Sequence, residues 1–547
     1  MRKFMLGVIA SICAITLFSF SQLSDNYFQI TRNLDIFSTL FKELNANYVD
    51  DLDSEELVVE GIDAMLESLD PYTDFIPESE LESYRTSTTG EYGGIGAIVG
   101  KKKGVSTVVM PYMDFPAYKA GLRIGDEILK IDGEDLSDLS TSEVSEMLKG
   151  KPNTTLTLLV QRYGTEKPFE VTVERAKITI NNVTYAGMYD SEIGVIRLSE
   201  FTTHAGSEVA DALNKLKEEG ATKIILDLRG NPGGLLNEAV NVSNVFIPKG
   251  KEIVSTKGKS SNVGQAYKAL QTATDAEIPI AVLISNGTAS AAEIVSGSIQ
   301  DYDRGVLIGK KTYGKGLVQG TRQLPYDAQL KLTTAKYYIP SGRCIQAIDY
   351  THRNPDGSVG KIPDSLKVAF KTQNGRTVYD GGGIDPDIPV EIEYYSNLLL
   401  NFVNQNILFD YATKYHYEHA EIPNARKFEL SDEEYMDFTE WAKGKDLDFS
   451  SEMDRAIEAL EKISKNEKYY NGLKDQIDKL KNRLENVRVS YLIDYKEEVK
   501  VLLEEEIVSR YYLHTGVVEA SLDHDPAVVQ AVEVLKDQER YNKLLAK

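Results

Sequence analysis

Cysteine is nearly absent from this 547-residue chain. Cys13 lies close to the start and Cys344 stands alone in the body. No disulfide framework can therefore staple the fold, and no thiolate zinc site can be assembled. Basic charge is in deficit too: 61 Lys and Arg against 84 Asp and Glu leave a formal charge of −23. That sign repels phosphate backbones, so nucleic acid is excluded as a natural partner, and anionic membrane surfaces are disfavoured. Histidine is scarce and badly placed for a Ser-His-Asp triad. His416, His419, His514 and His524 fall in a helical C-terminal region, leaving His204 and His352 for the rest. His416 and His419 also lack the Glu-first pattern of a zinc-protease helix.

What is present begins with a leader. Arg2 and Lys3 precede an uncharged run from Phe4 to Phe20, the basic and apolar regions of an export signal. Residues 1–22 read as a signal peptide or a membrane anchor. The run is about long enough to span a bilayer and has no clean small-x-small cleavage site before Gln22, so both readings stand. Either one predicts an exported body, periplasmic or otherwise extracytoplasmic.

The length implies several domains. Residues 30–88 carry helical periodicity through Phe37, Leu40, Phe41 and Leu44, then Leu57, Ile62, Met65 and Leu66. Such a small helical unit needs a partner surface. Pro71 ends its second helix, and a polar stretch follows to Gly90. Residues 90–176 read as a compact β-rich module, with strands near Ser106–Met110, Glu127–Ile131 and Thr155–Gln161 and one helix opened by a Ser140/Glu143 capping box. Residues 178–392 alternate strand and helix, which predicts an α/β domain with a buried sheet and a site at strand ends. From 394 to 547 helices dominate. Leu473, Ile477, Leu480, Leu484 and Val487 form a heptad seam of about two heptads, short enough to favour a helical hairpin.

The chemistry concentrates in three segments of the α/β region. In Asn286-Gly287-Thr288-Ala289-Ser290-Ala291-Ala292-Glu293 an apolar strand turns into a helix at Ser290. A serine there can present its hydroxyl beside backbone N–H groups suited to a developing oxyanion, although Ser290 with Glu293 is equally a capping box. Lys315, between Gly314 and Gly316, can serve as a base if burial keeps it neutral, or it is simply a solvated lysine in a glycine turn. Gln319 lies four residues on and could hold its amine. The third segment, Leu226-Asp227-Leu228-Arg229-Gly230-Asn231-Pro232-Gly233-Gly234, ends a strand in a glycine-dense turn with exposed N–H groups. A phosphate-loop reading of Gly309–Gly316 fails, because Gly316 stands where Ser or Thr should bind magnesium.

Together these three motifs, in this order, resemble the carboxy-terminal processing peptidases, also called tail-specific proteases, from about Leu34 to Val390. The resemblance implies a multidomain α+β chain with an N-terminal helical segment, a PDZ domain over 90–176, a crotonase/Clp-protease-like α/β core and a C-terminal helical domain. It implies a serine endopeptidase with Ser290 as nucleophile, Lys315 as general base and Gln319 orienting the lysine. The oxyanion donors would be the N–H of Ala291 and of Gly233 or Gly234. Asp301 matches a recurring position and is expected to be structural. Gly94-Ile95-Gly96 would hold a peptide's terminal carboxylate in the PDZ-like module, so the partners are protein or peptide substrates with free C-termini. No metal or organic cofactor is implied. The tail matches nothing motif by motif, and homo-oligomerisation, adaptor docking or shielding of the site are its open roles. The rival reading is a scaffold that binds C-termini without turnover, or an enzyme held latent until peptide binds.

Overall fold

The computed structural model describes residues 27–259, 264–391, 396–445 and 452–546; the leader and Cys13 lie outside them. The chain divides into two compact units, one of residues up to Phe75 with Thr321–Leu332, the other of Ile76–Gly320 with Thr333–Lys547. The first unit holds helices 27–47 and Ser54–Glu67, the latter capped by Asp53, whose carboxylate accepts from the N–H groups of Glu55 and Glu56. Phe37, Leu40 and Leu44, the stripe read from the sequence, stay exposed along the first helix.

The polar stretch before Gly90, left without an element of its own in the sequence reading, contains a helix, Leu81–Thr89. Thr86, Thr88 and Thr89 bond their hydroxyls back to carbonyls one turn earlier, and no residue of this helix is fully buried. A helix without an apolar stripe leaves no periodic signal to read. The β-rich module follows as an antiparallel sheet in the order Ala97–Lys102, Val105–Pro111, Glu127–Ile131, Thr155–Gln161, Phe169–Glu174. Its helix Thr141–Leu148 starts at the expected capping box, with Val144 and Leu148 turned inward. Entry and exit share one ribbon: Glu91–Gly94 pairs antiparallel with Ala176–Thr179, and the Ile180 N–H closes onto the Gly90 carbonyl at 2.8 Å.

The α/β region is a six-stranded sheet in the order Val183–Met188, Ile193–Leu198, Lys223–Asp227, Ile280–Ile284, Val306–Gly309, Ile388–Pro389, parallel except for the first pair. Apolar residues run through these strands on both faces, as a doubly covered parallel sheet requires. Ile224, Leu226 and Val282 pack against helices Ala205–Glu218, Leu236–Phe246 and Ala291–Asp301. Ile225, Ala281, Leu283 and Ile308 face the other way, against Val528, Ala531 and Leu535 of helix Pro526–Lys536. Helices Pro526–Lys536 and Gln538–Leu544 thus complete the α/β layer rather than standing apart from it. Tyr541 anchors them, its hydroxyl donating to the Ile280 carbonyl at 3.2 Å.

The preceding helices of the tail have their own core, built from Phe402, Leu408, Tyr411, Phe438, Leu503 and Ile507. Helices Glu452–Asn466 and Tyr470–Asp494 pair as the expected hairpin. Only part of the seam is used: Ile477 is buried with Ile457, whereas Leu473 and Leu480 remain exposed, and the side chain of Val487 lies outside the described residues. Among the described residues no helix is long and apolar enough to cross a membrane, and no cluster of three or more His, Cys, Asp or Glu could hold a metal ion.

Candidate active site

The three motif segments leave the carboxyl ends of three neighbouring parallel strands, Lys223–Asp227, Ile280–Ile284 and Val306–Gly309. Sheet order alone therefore converges them, at the edge where open α/β sheets place their ligands.

The turn after Ile284 is held from both sides. Thr288 Oγ1 donates to the Leu228 carbonyl at 2.8 Å, and the Ala289 N–H donates to the Asn231 carbonyl at 2.9 Å. Ser290 then adopts φ 53°, ψ −113° before helix Ala291–Asp301 begins. A left-handed backbone at a non-glycine residue costs roughly 1–3 kcal/mol and persists only where the surroundings impose it. Here the Glu293 carboxylate and the Tyr337 hydroxyl hold the Ser290 backbone, and Gly233 leaves room for it. A Cβ at that position, whose φ is +98°, would lie 2.8 Å from each of the Ala289 carbonyl oxygen, the Ala291 nitrogen and Ser290 Cβ. The Glu293 N–H goes to the Ser290 carbonyl at 2.9 Å, and the Glu293 carboxylate accepts back from the Ser290 N–H at 2.8 Å, the reciprocal half of the capping box.

Asn231, fully buried, holds the glycine turn. Its Nδ2 donates to the Leu198 carbonyl at 2.7 Å and its Oδ1 accepts from the Gly233 N–H at 2.8 Å. Of the two glycines read as oxyanion donors, Gly233 thus has its N–H committed to Asn231.

Lys315 sits in a loop wedged between helix Ala291–Asp301 and segment 345–347. The Gly316 N–H donates to Gln346 Oε1 at 2.7 Å, and the Ala347 N–H donates to the Gly314 carbonyl at 2.9 Å. A Cβ at Gly314 would come within 2.5 Å of Ala347 Cβ. That is why glycine flanks the lysine. Gln319, on strand Leu317–Gln323, donates its Nε2 to Thr333 Oγ1 at 3.1 Å.

The residue that joins these pieces is Glu293, which sequence reasoning took for a capping partner. Its side chain is wholly buried. Oε2 accepts from the N–H of Ser290 at 2.8 Å and of Lys315 at 2.9 Å. Oε1 accepts from Thr312 Oγ1 at 2.5 Å and from the Gly314 N–H at 2.7 Å. Burial pushes its carboxyl up to about 7, against these donors pulling it down. Tyr337, also buried, donates its hydroxyl to the Ser290 carbonyl at 3.2 Å and is held well above its ordinary value by burial, then by Glu293. The signal for Glu293 was indirect: helix Ala291–Asp301 is buried at every residue, and a carboxylate inside it must find several donors.

Asp301 closes the far end of that helix, roughly 15 Å from Ser290 along the axis. Its carboxylate pairs with Arg343 at 2.9 Å and accepts from the Ser341 N–H at 2.9 Å, with burial raising it and Arg343 opposing. Gly94, Ile95 and Gly96 lie in the β-rich module, just before Ala97–Lys102, a terminal strand of its sheet. Ile95 points its side chain into the module's core, and its carbonyl accepts from the Ala117 N–H at 2.8 Å.

Three family models match the chain: peptidase family S41 over residues 192–359, a PDZ domain over 111–162, and the C-terminal helical domain of a probable PDZ-protease over 398–535. A carboxy-terminal-processing protease of Bartonella bacilliformis is 38% identical over 370 residues, which cover 66% of this chain and 83% of that protein. A probable CtpA-like serine protease of Staphylococcus aureus strain COL is 36% identical over 363 residues, covering 64% and 71%. A solved photosystem II D1 C-terminal processing protease is 25% identical with a TM-score of 0.36, covering 65% of this chain and 92% of that one. With most of a carboxy-terminal-processing protease matched at that identity, and peptidase, PDZ and helical segments following one another along one chain, this protein belongs to the carboxy-terminal-processing proteases of family S41, which are serine-type peptidases.

Proposed function

We propose that the protein is an exported endopeptidase that selects proteins or peptides by their free C-termini and cuts them through a Ser290 acyl-enzyme with Lys315 as general base. Ser290 Oγ attacks the scissile carbonyl while the neutral Lys315 amine takes its proton. The ammonium returns that proton to the leaving amine, and water activated by the same amine releases the acyl product. Gln319 orients the lysine. The Ala291 N–H at the helix start and the Gly234 N–H receive the oxyanion, since the Gly233 N–H serves Asn231. The observation that carries this reading is the left-handed turn at Ser290 pressed against Gly233 at the carboxyl end of a parallel strand.

The PDZ domain supplies selection. A substrate tail would extend its sheet along Ala97–Lys102, with the terminal carboxylate near Gly94-Ile95-Gly96. The basic and apolar leader in residues 1–22 supports export, to the periplasm or another extracytoplasmic space. Fractionation of cells, with N-terminal sequencing of the mature chain, tests that part.

The central test is cleavage of a loosely folded protein with an apolar free C-terminus by the leaderless chain, beside Ser290→Ala and Lys315→Ala. The expected result is cutting by the parent and none by either variant, with both variants still folded. A parent that binds the tail without cutting supports the scaffold reading. A variant that cuts as well as the parent removes the dyad.

A further inference from the structure

Both halves of the proposed dyad are held by one side chain. The backbone nitrogens of Ser290 and Lys315 share a single acceptor, Glu293 Oε2, at 2.8 and 2.9 Å, so the nucleophile turn and the base loop stand two hydrogen bonds apart. Oε1 fastens the same loop twice more, through Thr312 and Gly314. We infer that Glu293 is a positioning residue whose carboxylate keeps Ser290 and Lys315 in register, and that its charge, beyond its shape, is what the site requires. This rests on the dyad reading above.

The argument is one of donor count. Four donors converge on two oxygens, and only an acceptor-only group satisfies all four. A glutamine of the same length offers one accepting oxygen and turns an NH2 toward two donors. An added proton has the same effect on the acid, with one escape. Thr312 Oγ1 already accepts from the Ile384 N–H at 2.7 Å while donating to Oε1 at 2.5 Å. A proton on Oε1 must therefore displace the Thr312 donation, whereas a proton on Oε2 breaks the link between Ser290 and Lys315. The ionisable side chain shown beside the carboxyl is Tyr337, from strand Gln329–Tyr338, while the Lys315 loop meets it through backbone N–H groups. Tyr337 stays neutral over the working range, because burial and Glu293 itself hold its phenol up. Burial brings the Glu293 proton near neutrality, so ordinary buffers can populate both forms.

The experiment compares the leaderless parent with Glu293→Gln on the same tail-bearing substrate, recording kcat and KM from pH 6 to 9 together with tail-peptide binding. At pH 8 the variant is expected to lose about 100-fold in kcat, the scale of a small misplacement of reacting groups. KM and peptide affinity should stay within about threefold. The ratio of parent to variant kcat should then shrink as pH falls through about 7, because the parent's carboxyl takes up its own proton. A packing role alone gives a ratio constant with pH, and that result overturns the inference, as does a variant with kcat within about threefold of the parent at pH 8. If Glu293→Gln does not fold, Thr312→Val replaces it: deleting one donor moves the acid inflection of kcat upward in pH, and an unmoved inflection is equally fatal. Failure of the dyad itself appears separately, as undiminished cutting by Ser290→Ala.

Discussion

Gly233→Ala probes the contact that packs the glycine turn against Ser290. The substitution has two costs that a second variant separates. Gly233 has φ +98°, Gly230 in the same turn has φ +70°, and a Cβ at Gly230 meets nothing within 4 Å. Alanine at either site carries the left-handed penalty, about 1–2 kcal/mol. Only at position 233 does the new methyl also collide, at 2.8 Å with two backbone atoms and Ser290 Cβ. Ordinary contact requires several tenths of an ångström more, and none of the three atoms is the far end of a flexible side chain. The turn must open, carrying the Ala291 N–H away from the position proposed for the oxyanion. Loss of one such donor lowers kcat by about 100- to 1,000-fold, or about 3–4 kcal/mol in the barrier. The assay is steady-state cleavage of a tail-bearing protein, with urea denaturation beside it. Gly230→Ala should lose stability and keep kcat; Gly233→Ala should lose stability and nearly all of kcat. A folded Gly233→Ala enzyme cutting within about threefold of Gly230→Ala would refute the reasoning that this contact shapes the site.

Two further outcomes concern stability. Arg343→Met leaves the Asp301 carboxylate, paired at 2.9 Å with both side chains 1% exposed, without its buried partner; unfolding should become easier by about 3–5 kcal/mol, and adding Asp301→Asn should recover part of that loss. Glu505 is raised to about 7 by burial first and then by Glu506 and Asp525, so the folded chain binds its proton more tightly than the unfolded chain does. Its contribution favours folding below about pH 4.5 and is lost as pH rises through about 7. Glu505→Gln should therefore stabilise the protein at pH 8 by a few kcal/mol and have little effect near pH 4.5, measured by urea denaturation at each pH.

The sequence disclosed those parts whose signal is local. The Ser140 and Glu143 cap and the strands at Glu127–Ile131 and Thr155–Gln161 are each written within a few neighbouring residues, and all three form. The three glycine-bearing motifs were legible as well, but not the reason they meet, which is the order of strands in the sheet. Helix Leu81–Thr89 escaped because it buries no residue and so carries no apolar stripe. Glu293 was seen and underread: its spacing from Ser290 spells a cap, while its bonds to Thr312, Gly314 and Lys315 come from residues about twenty positions away. The covering of the sheet by Pro526–Lys536 was hidden for the same reason, since apolar periodicity shows that a helix has a buried face and not what buries it.

The ribbon that carries the PDZ domain has an evolutionary consequence. Because Glu91–Gly94 and Ala176–Thr179 lie side by side, the domain begins and ends at one place, and the chain on either side is already joined by the bond from Ile180 to Gly90. A domain with adjacent ends can be inserted, replaced or lost without rethreading its host. If the domain selects substrates as proposed, selection and the chemistry of cutting can diverge at separate rates, and a chimera carrying a foreign domain between Gly94 and Ala176 is expected to cut a different set of tails with an unaltered peptidase sheet.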